Sequence, residues 1–134
     1  MSLAARVEQL RSVDLFSQLD DEALGLVASV ANEFEAPAGR VLVEPKQSGS
    51  GMFLISDGTA RAELRGGKTR TLGPGDCFGE LALLRPDGAR TARVRAETPL
   101  RCLAIGRDDF RHLLEREPRI AFSLLEVLAE RLAR

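Results

Sequence analysis

The segment from Leu72 to Ala96, LGPGDCFGELALLRPDGARTARVRA, carries the residue types that hold an anionic ligand. Glu80 offers a carboxylate that only accepts hydrogen bonds, which suits a ligand hydroxyl. Arg90 offers a permanent cation whose planar donors match phosphate oxygens, and Thr91 adds a hydroxyl beside it. Gly79 lacks a Cβ, so backbone can approach a ligand closely there. These residue types suit a site for a phosphodiester that also carries a hydroxyl.

The residues after Gly79 can supply backbone donors to the same ligand. Residues 80–84 are compatible with one helical turn, and the first N–H groups of such a turn have no partner inside it. Those groups carry a partial positive charge that favours an anion. Ala82 is small, so its side chain does not shield its own amide. We expect the amides at the start of this turn to face the phosphate.

These residues resemble a known motif. FGELALL, a short turn and then RTA is similar to the phosphate-binding cassette of the cyclic-nucleotide-binding family. That family includes the catabolite activator protein, the regulatory subunits of cyclic-nucleotide-dependent kinases and the cyclic-nucleotide-gated channels. Residues 52–58 (MFLISDG) and 72–76 (LGPGD) resemble the family's third strand with its turn glycine and its approach to the cassette. The likeness covers roughly residues 10–134, and residues 79–92 are called the cassette below.

The resemblance implies a role for each matching position. Glu80 would bind the ribose 2′-hydroxyl, and Arg90 would pair with the exocyclic phosphate oxygens. The backbone amides of Leu81 and Ala82 would bind the same phosphate, and Thr91 would touch the phosphate or the base. The alternative for Glu80 and Arg90 is an exposed ion pair of little consequence.

The resemblance implies cAMP or cGMP as the ligand without deciding between them. A threonine at the position of Thr91 often accompanies cGMP in the family but also permits cAMP, and we favour cAMP. Cys77 would lie against the base or serve as a small core residue. Leu64 would flank the base. A residue of the last helix would cover it, the candidates being Leu128, Arg131 and Leu132.

The elements that position this segment follow from hydrophobic periodicity. Helices are predicted over residues 3–11 and 20–31, the second starting at Asp20 or Asp21, and over 107–117 and 118–134, with Asp108 or Asp109 capping the third. Between them, short β-rich runs (RVLVE, MFLIS, TARAEL, TRTL, TARVRA, LRCLAI) alternate with turn clusters.

Short strands separated at even intervals by turns favour a mainly β fold with flanking helices, namely a double-stranded β-helix (jelly-roll) β-roll. We expect a single domain over residues 1–134, with N-terminal helices (1–31), a β-roll (32–106) and C-terminal helices (107–134).

The last predicted helix has two apolar stripes. Ile120, Leu124, Val127 and Leu128 form one, and Ala121, Leu125 and Leu132 form the other. One interpretation is a helix tucked fully into its own domain. The other, which we favour, places one stripe on the β-roll and one on a partner helix, giving a homodimer through residues 118–134.

Composition limits the remaining classes. The 134 residues carry a formal net charge of −1, which argues against contact with nucleic acid. Cys77 and Cys102 are too few for a disulfide framework, and the N-terminus resembles neither a signal peptide nor a membrane span. We therefore expect a cytoplasmic protein. A single histidine, His112, favours neither a metal site nor a Ser-His-acid triad, so we expect no enzyme.

Three functions remain open. The favoured one is a nucleotide-sensing regulatory module in which the C-terminal helix controls an effector that the sequence does not identify. The alternatives are the ligand-binding half of a catabolite-activator-type transcription factor, without its DNA-binding domain in this chain, and a dimerisation domain that binds no nucleotide.

Overall fold

The computed structural model describes residues 1–44, 51–84 and 92–134. Within these ranges the helices are α1 (Leu3–Arg11), α2 (Asp21–Ser29), α3 (Arg107–Arg116) and α4 (Pro118–Ala133). The strands are β1 (Ala31–Ala36), β2 (Val41–Val43), β3 (Gly51–Asp57), β4 (Ala60–Glu63), β5 (Thr69–Leu72), β6 (Cys77–Phe78), β7 (Arg93–Ala96) and β8 (Leu100–Gly106). Short 3₁₀ turns lie at Asp14–Phe16, Arg65–Gly67 and Glu80–Leu83, and the last of these is called the cassette turn below.

The strands form two antiparallel sheets of four strands each. The first sheet has the order β1-β8-β3-β6 and the second the order β2-β7-β4-β5. The cassette begins directly after β6 of the first sheet and ends directly before β7 of the second sheet. The mainly β roll with flanking helices that the sequence predicted is confirmed.

The two middle strands of the first sheet, β3 and β8, are largely covered on both faces. Their outward residues, including Met52, Leu54 and Leu103, pack against the helices in one apolar cluster. Their inward residues, including Ile55 and Cys102, pack against the second sheet in another. A strand covered on both faces needs an almost unbroken apolar sequence, which explains the run MFLI in β3.

The helix boundaries largely follow the sequence signals. The Asp20 side chain accepts from the Ala23 amide at 2.8 Å and caps α2, and Pro118 occupies the first turn of α4. Two details differ. Helix α2 ends at Ser29, and residue 31 already belongs to β1, which pairs with β8 along its length. Helix α3 follows Gly106 without a side-chain cap, so neither predicted aspartate caps it.

Helix α4 buries most of its first apolar stripe and exposes most of the second, although Ala121 of the second stripe is half-buried. Ile120, Leu124 and Val127 are buried, whereas Phe122 is 65% exposed, Leu125 56% and Leu132 88%. Among residues 1–44, 51–84 and 92–134, none of the helices has the length and apolar character that crossing a membrane requires.

Candidate functional site

Gly79 directs the chain out of β6 into the cassette turn. Its φ is +80°, a left-handed conformation that glycine adopts without strain and L side chains rarely adopt. The preceding residue, Phe78, pairs with Phe53 of β3, and their rings stack at a centroid distance of 5.1 Å. Phe34 continues this aromatic row at 5.4 Å from Phe53. Sequence reasoning did not single out this row, which holds the strand end from which the cassette starts.

The cassette turn is anchored by two buried side chains. Ala82 is 6% exposed and Leu83 3%. The Ala82 amide donates to the Gly79 carbonyl at 3.0 Å and closes the first hydrogen bond of the turn. The Ala82 amide is therefore engaged within the turn, contrary to the expectation that it is free. The amides of Glu80 and Leu81 precede this bond, and the leading amides of a helical turn have no partner within it.

The Glu80 carboxylate is partly exposed and lies beside a cation of α4. The side chain is 28% exposed, and its Oε1 lies 3.6 Å from Nη1 of Arg131 in α4. That separation exceeds the ordinary range of a direct hydrogen bond. Among the described residues, none donates a hydrogen bond to this carboxylate. An acceptor-only group near a cation is suited to a ligand hydroxyl.

Arg131 joins three elements. Its Nε and Nη2 donate to Oδ2 of Asp14, in the first 3₁₀ turn, at 3.1 and 2.7 Å. The hydrogen bonds with Asp14 raise the pKa of Arg131 above its ordinary value, and the charge of Glu80 adds to the shift. Helix α4 is thus tied through one side chain to the N-terminal 3₁₀ turn and to the cassette. Asp14 is a residue that sequence reasoning missed, because no local motif marks it.

Cys77 faces the helices. It pairs with Leu54 in the first sheet and packs against the helix-side cluster. Burial raises the pKa of its thiol to about 11, and the charges of Glu80 and Asp76 add to the shift. The thiol is therefore protonated at neutral pH, and a protonated thiol is a poor nucleophile. This surrounding favours the interpretation of Cys77 as a core residue; its contact with a base stays a prediction.

The other predicted residues occupy varied places. Leu64 follows β4 at the hairpin and is 41% exposed, and its amide donates to the Lys68 carbonyl at 2.7 Å. Three residues of the last helix were candidates to cover the base. Leu128 packs against the helix-side cluster and Leu132 is exposed. Of the three, Arg131 is the one that lies near Glu80.

Arg90 and Thr91 lie outside the described residues, and their roles stay predictions. Just beyond them, Arg93 donates from Nε to Glu44 at 3.0 Å and lies 3.6 Å from Glu63. These ion pairs connect β7 to β4 and to the residue after β2, the two elements beside it in the second sheet.

Two further features concern other kinds of site. A groove of about 370 Å³ lies where Asp57 of β3 pairs with Arg101, at the end of that strand farther from the cassette. Among the residues described, no group of three or more His, Cys, Asp or Glu side chains is placed to hold a metal ion.

Comparisons with known proteins identify relatives of this chain. The cyclic GMP-dependent protein kinase isozyme 1 of Drosophila melanogaster is 39% identical over 117 residues, which are 81% of this chain and 15% of the kinase. The cyclic AMP receptor protein of Thermus thermophilus is 33% identical over 128 residues, 92% of this chain and 59% of that protein. The chain therefore spans less than two thirds of each of these relatives.

The structural comparison gives the same result. The N-terminal domain of a transcriptional regulator from Streptomyces coelicolor A3(2) superposes with a TM-score of 0.81 at 31% identity, covering 93% of this chain and 90% of that one. The sequence profile of the cyclic nucleotide-binding domain matches residues 33–117. The chain belongs to the cyclic nucleotide-binding domain family.

Proposed function

We propose that this cyclic nucleotide-binding domain is a regulatory module that binds cAMP or cGMP and performs no catalysis. The observation that carries the proposal is the arrangement of Gly79 and Glu80. The left-handed glycine turns the chain so that the next residue presents a carboxylate to which no described residue donates a hydrogen bond. A ribose 2′-hydroxyl is a donor of the kind that this carboxylate lacks.

The phosphate end of the ligand is assigned to the rest of the cassette. Arg90 pairs with the exocyclic oxygens, since a guanidinium offers two parallel donors to a phosphate. The Leu81 amide adds a backbone donor, and Thr91 adds a hydroxyl. The Ala82 amide joins them only if its bond to Gly79 opens on binding. Anchoring of the turn by buried Ala82 and Leu83 supports a preformed site.

We favour cAMP over cGMP. The relatives include a cyclic GMP-dependent kinase and a cyclic AMP receptor protein, so both ligands have precedent among similar chains. Thr91 accepts either base in our assignment, because its hydroxyl can serve the phosphate as well as a guanine amino group.

The nucleotide acts as a switch through α4. Arg131 connects that helix to Glu80, so a ligand that engages Glu80 changes the surroundings of the helix. A shift in the position of α4 requires the ligand to bind one position of the helix more tightly than the other. The contact between Arg131 and the cassette supplies a route for such a difference.

The exposed stripe of α4 pairs with a second copy of the chain. Phe122, Leu125, Ala129 and Leu132 are all exposed, and their spacing is that of the core positions of a heptad repeat. The sequence placed Ala121 in this stripe, but the structure half-buries it and exposes Phe122 instead.

A second candidate function is the ligand-binding part of a transcription factor. It is favoured by the superposition on the N-terminal domain of a transcriptional regulator, because the match covers 90% of that domain's chain. In that case the helix shift is transmitted to a DNA-binding domain carried elsewhere in the protein.

Isothermal titration of the purified chain with cAMP and cGMP in parallel tests the proposal, with 5′-AMP as the control. We expect saturable binding of at least one cyclic nucleotide and much weaker binding of 5′-AMP. If neither cyclic nucleotide binds, by calorimetry or by equilibrium dialysis, the proposal is contradicted and the alternative of a dimerisation domain that binds no nucleotide is favoured.

A further inference from the structure

We propose that Asp14 is a positioning residue for the nucleotide, acting through Arg131 to keep the Glu80 carboxylate available. The inference rests on the proposed function, in which Glu80 accepts a hydrogen bond from the ribose 2′-hydroxyl. Asp14 itself belongs to the N-terminal 3₁₀ turn, outside the cassette.

Asp14 occupies one edge of the Arg131 guanidinium. The Nε and Nη2 atoms both donate to Oδ2 of Asp14, at 3.1 and 2.7 Å. Only Nη1 remains directed toward Glu80, and it stays 3.6 Å from Oε1. Glu80 therefore has a cation nearby while its oxygens stay free of a direct hydrogen bond from Arg131.

The guanidinium has another arrangement open to it when Asp14 is absent. Its planar donors bind a carboxylate in a bidentate geometry wherever one is within reach. Released from Asp14, Arg131 would turn its free edge to Glu80 and donate to both carboxylate oxygens. Those oxygens are the acceptors that the ribose hydroxyl uses, so the released arginine would compete with the ligand.

The position of Asp14 is fixed by its neighbours. Leu15 and Phe16, which follow it in the 3₁₀ turn, are each 1% exposed. The Ser17 amide donates to the Asp14 carbonyl at 3.0 Å, and the Phe16 amide donates to Val13 at 2.9 Å. A carboxylate on such a backbone can restrain a long arginine side chain from a helix that packs beside it.

The test compares cAMP with 2′-deoxy-cAMP, which lacks the hydroxyl assigned to Glu80; the cGMP pair replaces them if only cGMP binds. The readout is the ratio of the two affinities measured by calorimetry. Asp14→Asn removes the charge at almost constant side-chain size. It is expected to lower this ratio about threefold to tenfold, because the competing arginine would cancel part of the contribution of the charge-assisted hydrogen bond between Glu80 and the ribose hydroxyl. Affinity for the 2′-deoxy analogue is expected to stay within about twofold, because that ligand does not use the contested oxygens.

Matched variants separate positioning from structure. Asp21→Asn removes an ion pair of 2.8 Å between Asp21 and Arg11, remote from the cassette, and is expected to leave the ratio unchanged. Asp14→Glu keeps the carboxylate and is expected to restore the ratio. In an Arg131→Gln background, adding Asp14→Asn is expected to have no further effect on the ratio, because the intermediary is already absent.

The outcomes are distinguishable. An unchanged ratio in Asp14→Asn, an equal loss for both ligands, or a loss that persists in the Arg131→Gln background would each overturn the role of Asp14. Failure of the unsubstituted chain to bind any cyclic nucleotide would instead overturn the proposed function. Thermal unfolding of each variant confirms that the ratios are measured on folded protein.

Discussion

The guanidinium of Arg131 lies 3.6 Å from the carboxylate of Glu80, so the C-terminal helix contacts the cassette directly. The contact neutralises part of the charge of Glu80 without using a direct hydrogen bond. Under the proposed function, a ligand that binds Glu80 enters a site whose charge is partly balanced by α4, and we expect binding to shift the position of that helix.

Replacement of Glu80 tests the ribose contact. Glu80→Ala is expected to weaken nucleotide binding about tenfold to a hundredfold, the range of a charge-assisted hydrogen bond. Glu80→Gln is expected to cost less, because its amide oxygen still accepts one bond. Calorimetry with the favoured nucleotide measures both, and Glu115→Gln on the exposed face of α3 is the control. Equal affinities for the alanine variant and the unsubstituted chain would exclude the ribose contact.

Gly79→Ala tests whether the left-handed turn serves the ligand. A side chain at φ +80° is expected to destabilise the fold by about 1–2 kcal/mol. Gly39→Ala is a matched control, because Gly39 has φ +90° and open space where a Cβ would lie. Both variants are expected to lose stability in thermal melts, but only Gly79→Ala is expected to lose nucleotide affinity. A similar loss of affinity in both variants would mean that the effect comes from general destabilisation.

The thiols predict a pH dependence of stability. Burial raises the pKa of Cys77 and of Cys102 to about 11, compared with about 9 for an exposed thiol. Between these values the unfolded chain releases thiol protons that the folded chain retains, so the free energy of unfolding falls as the pH rises. Below about pH 8 both states keep the protons and the thiols contribute no pH dependence. Chemical denaturation at pH 8 and pH 10 measures this effect. The free energy of unfolding of Cys77→Ala is expected to fall less between these two pH values than that of the unsubstituted chain. An identical fall in both proteins would contradict the burial of the Cys77 thiol.

The exposed stripe of α4 predicts a dimer. Leu125→Glu places a charge in the centre of the proposed interface and is expected to convert a dimer to a monomer in light scattering. Leu3→Glu is the matched control, since Leu3 on α1 is 54% exposed against 56% for Leu125. A monomeric mass of the unsubstituted chain at high concentration would rule out the interface.

Much of the fold follows from local sequence patterns. The apolar runs of β3 and β8 predict strands, and Asp20 and Pro118 mark helix starts. Strand β1 escapes such reasoning because its sequence, ANEFEA, is largely polar and exposed. Its pairing with β8, far along the chain, makes it a strand.

In the candidate site, too, some residues are marked by a local sequence motif and others come together only in the folded chain. Gly79 and Glu80 belong to a continuous motif, so the sequence alone points to them. Asp14 and Arg131 lie at opposite ends of the chain and meet only when α4 packs against the first 3₁₀ turn, so no local pattern joins them. The prediction of a free amide at Ala82 is wrong for a local reason, because the tight 3₁₀ turn uses that N–H as a donor to its own first carbonyl.

The most direct test of the central claim is the affinity of Arg90→Ala for the cyclic nucleotide, measured by calorimetry beside Arg111→Ala, whose arginine pairs with Glu115 on the same helix. If a guanidinium in the cassette holds the phosphate, loss of Arg90 weakens binding on the order of tenfold to more than a hundredfold, while loss of Arg111 leaves it unchanged. An affinity of Arg90→Ala equal to that of the unsubstituted chain would show that the cyclic phosphate is bound elsewhere.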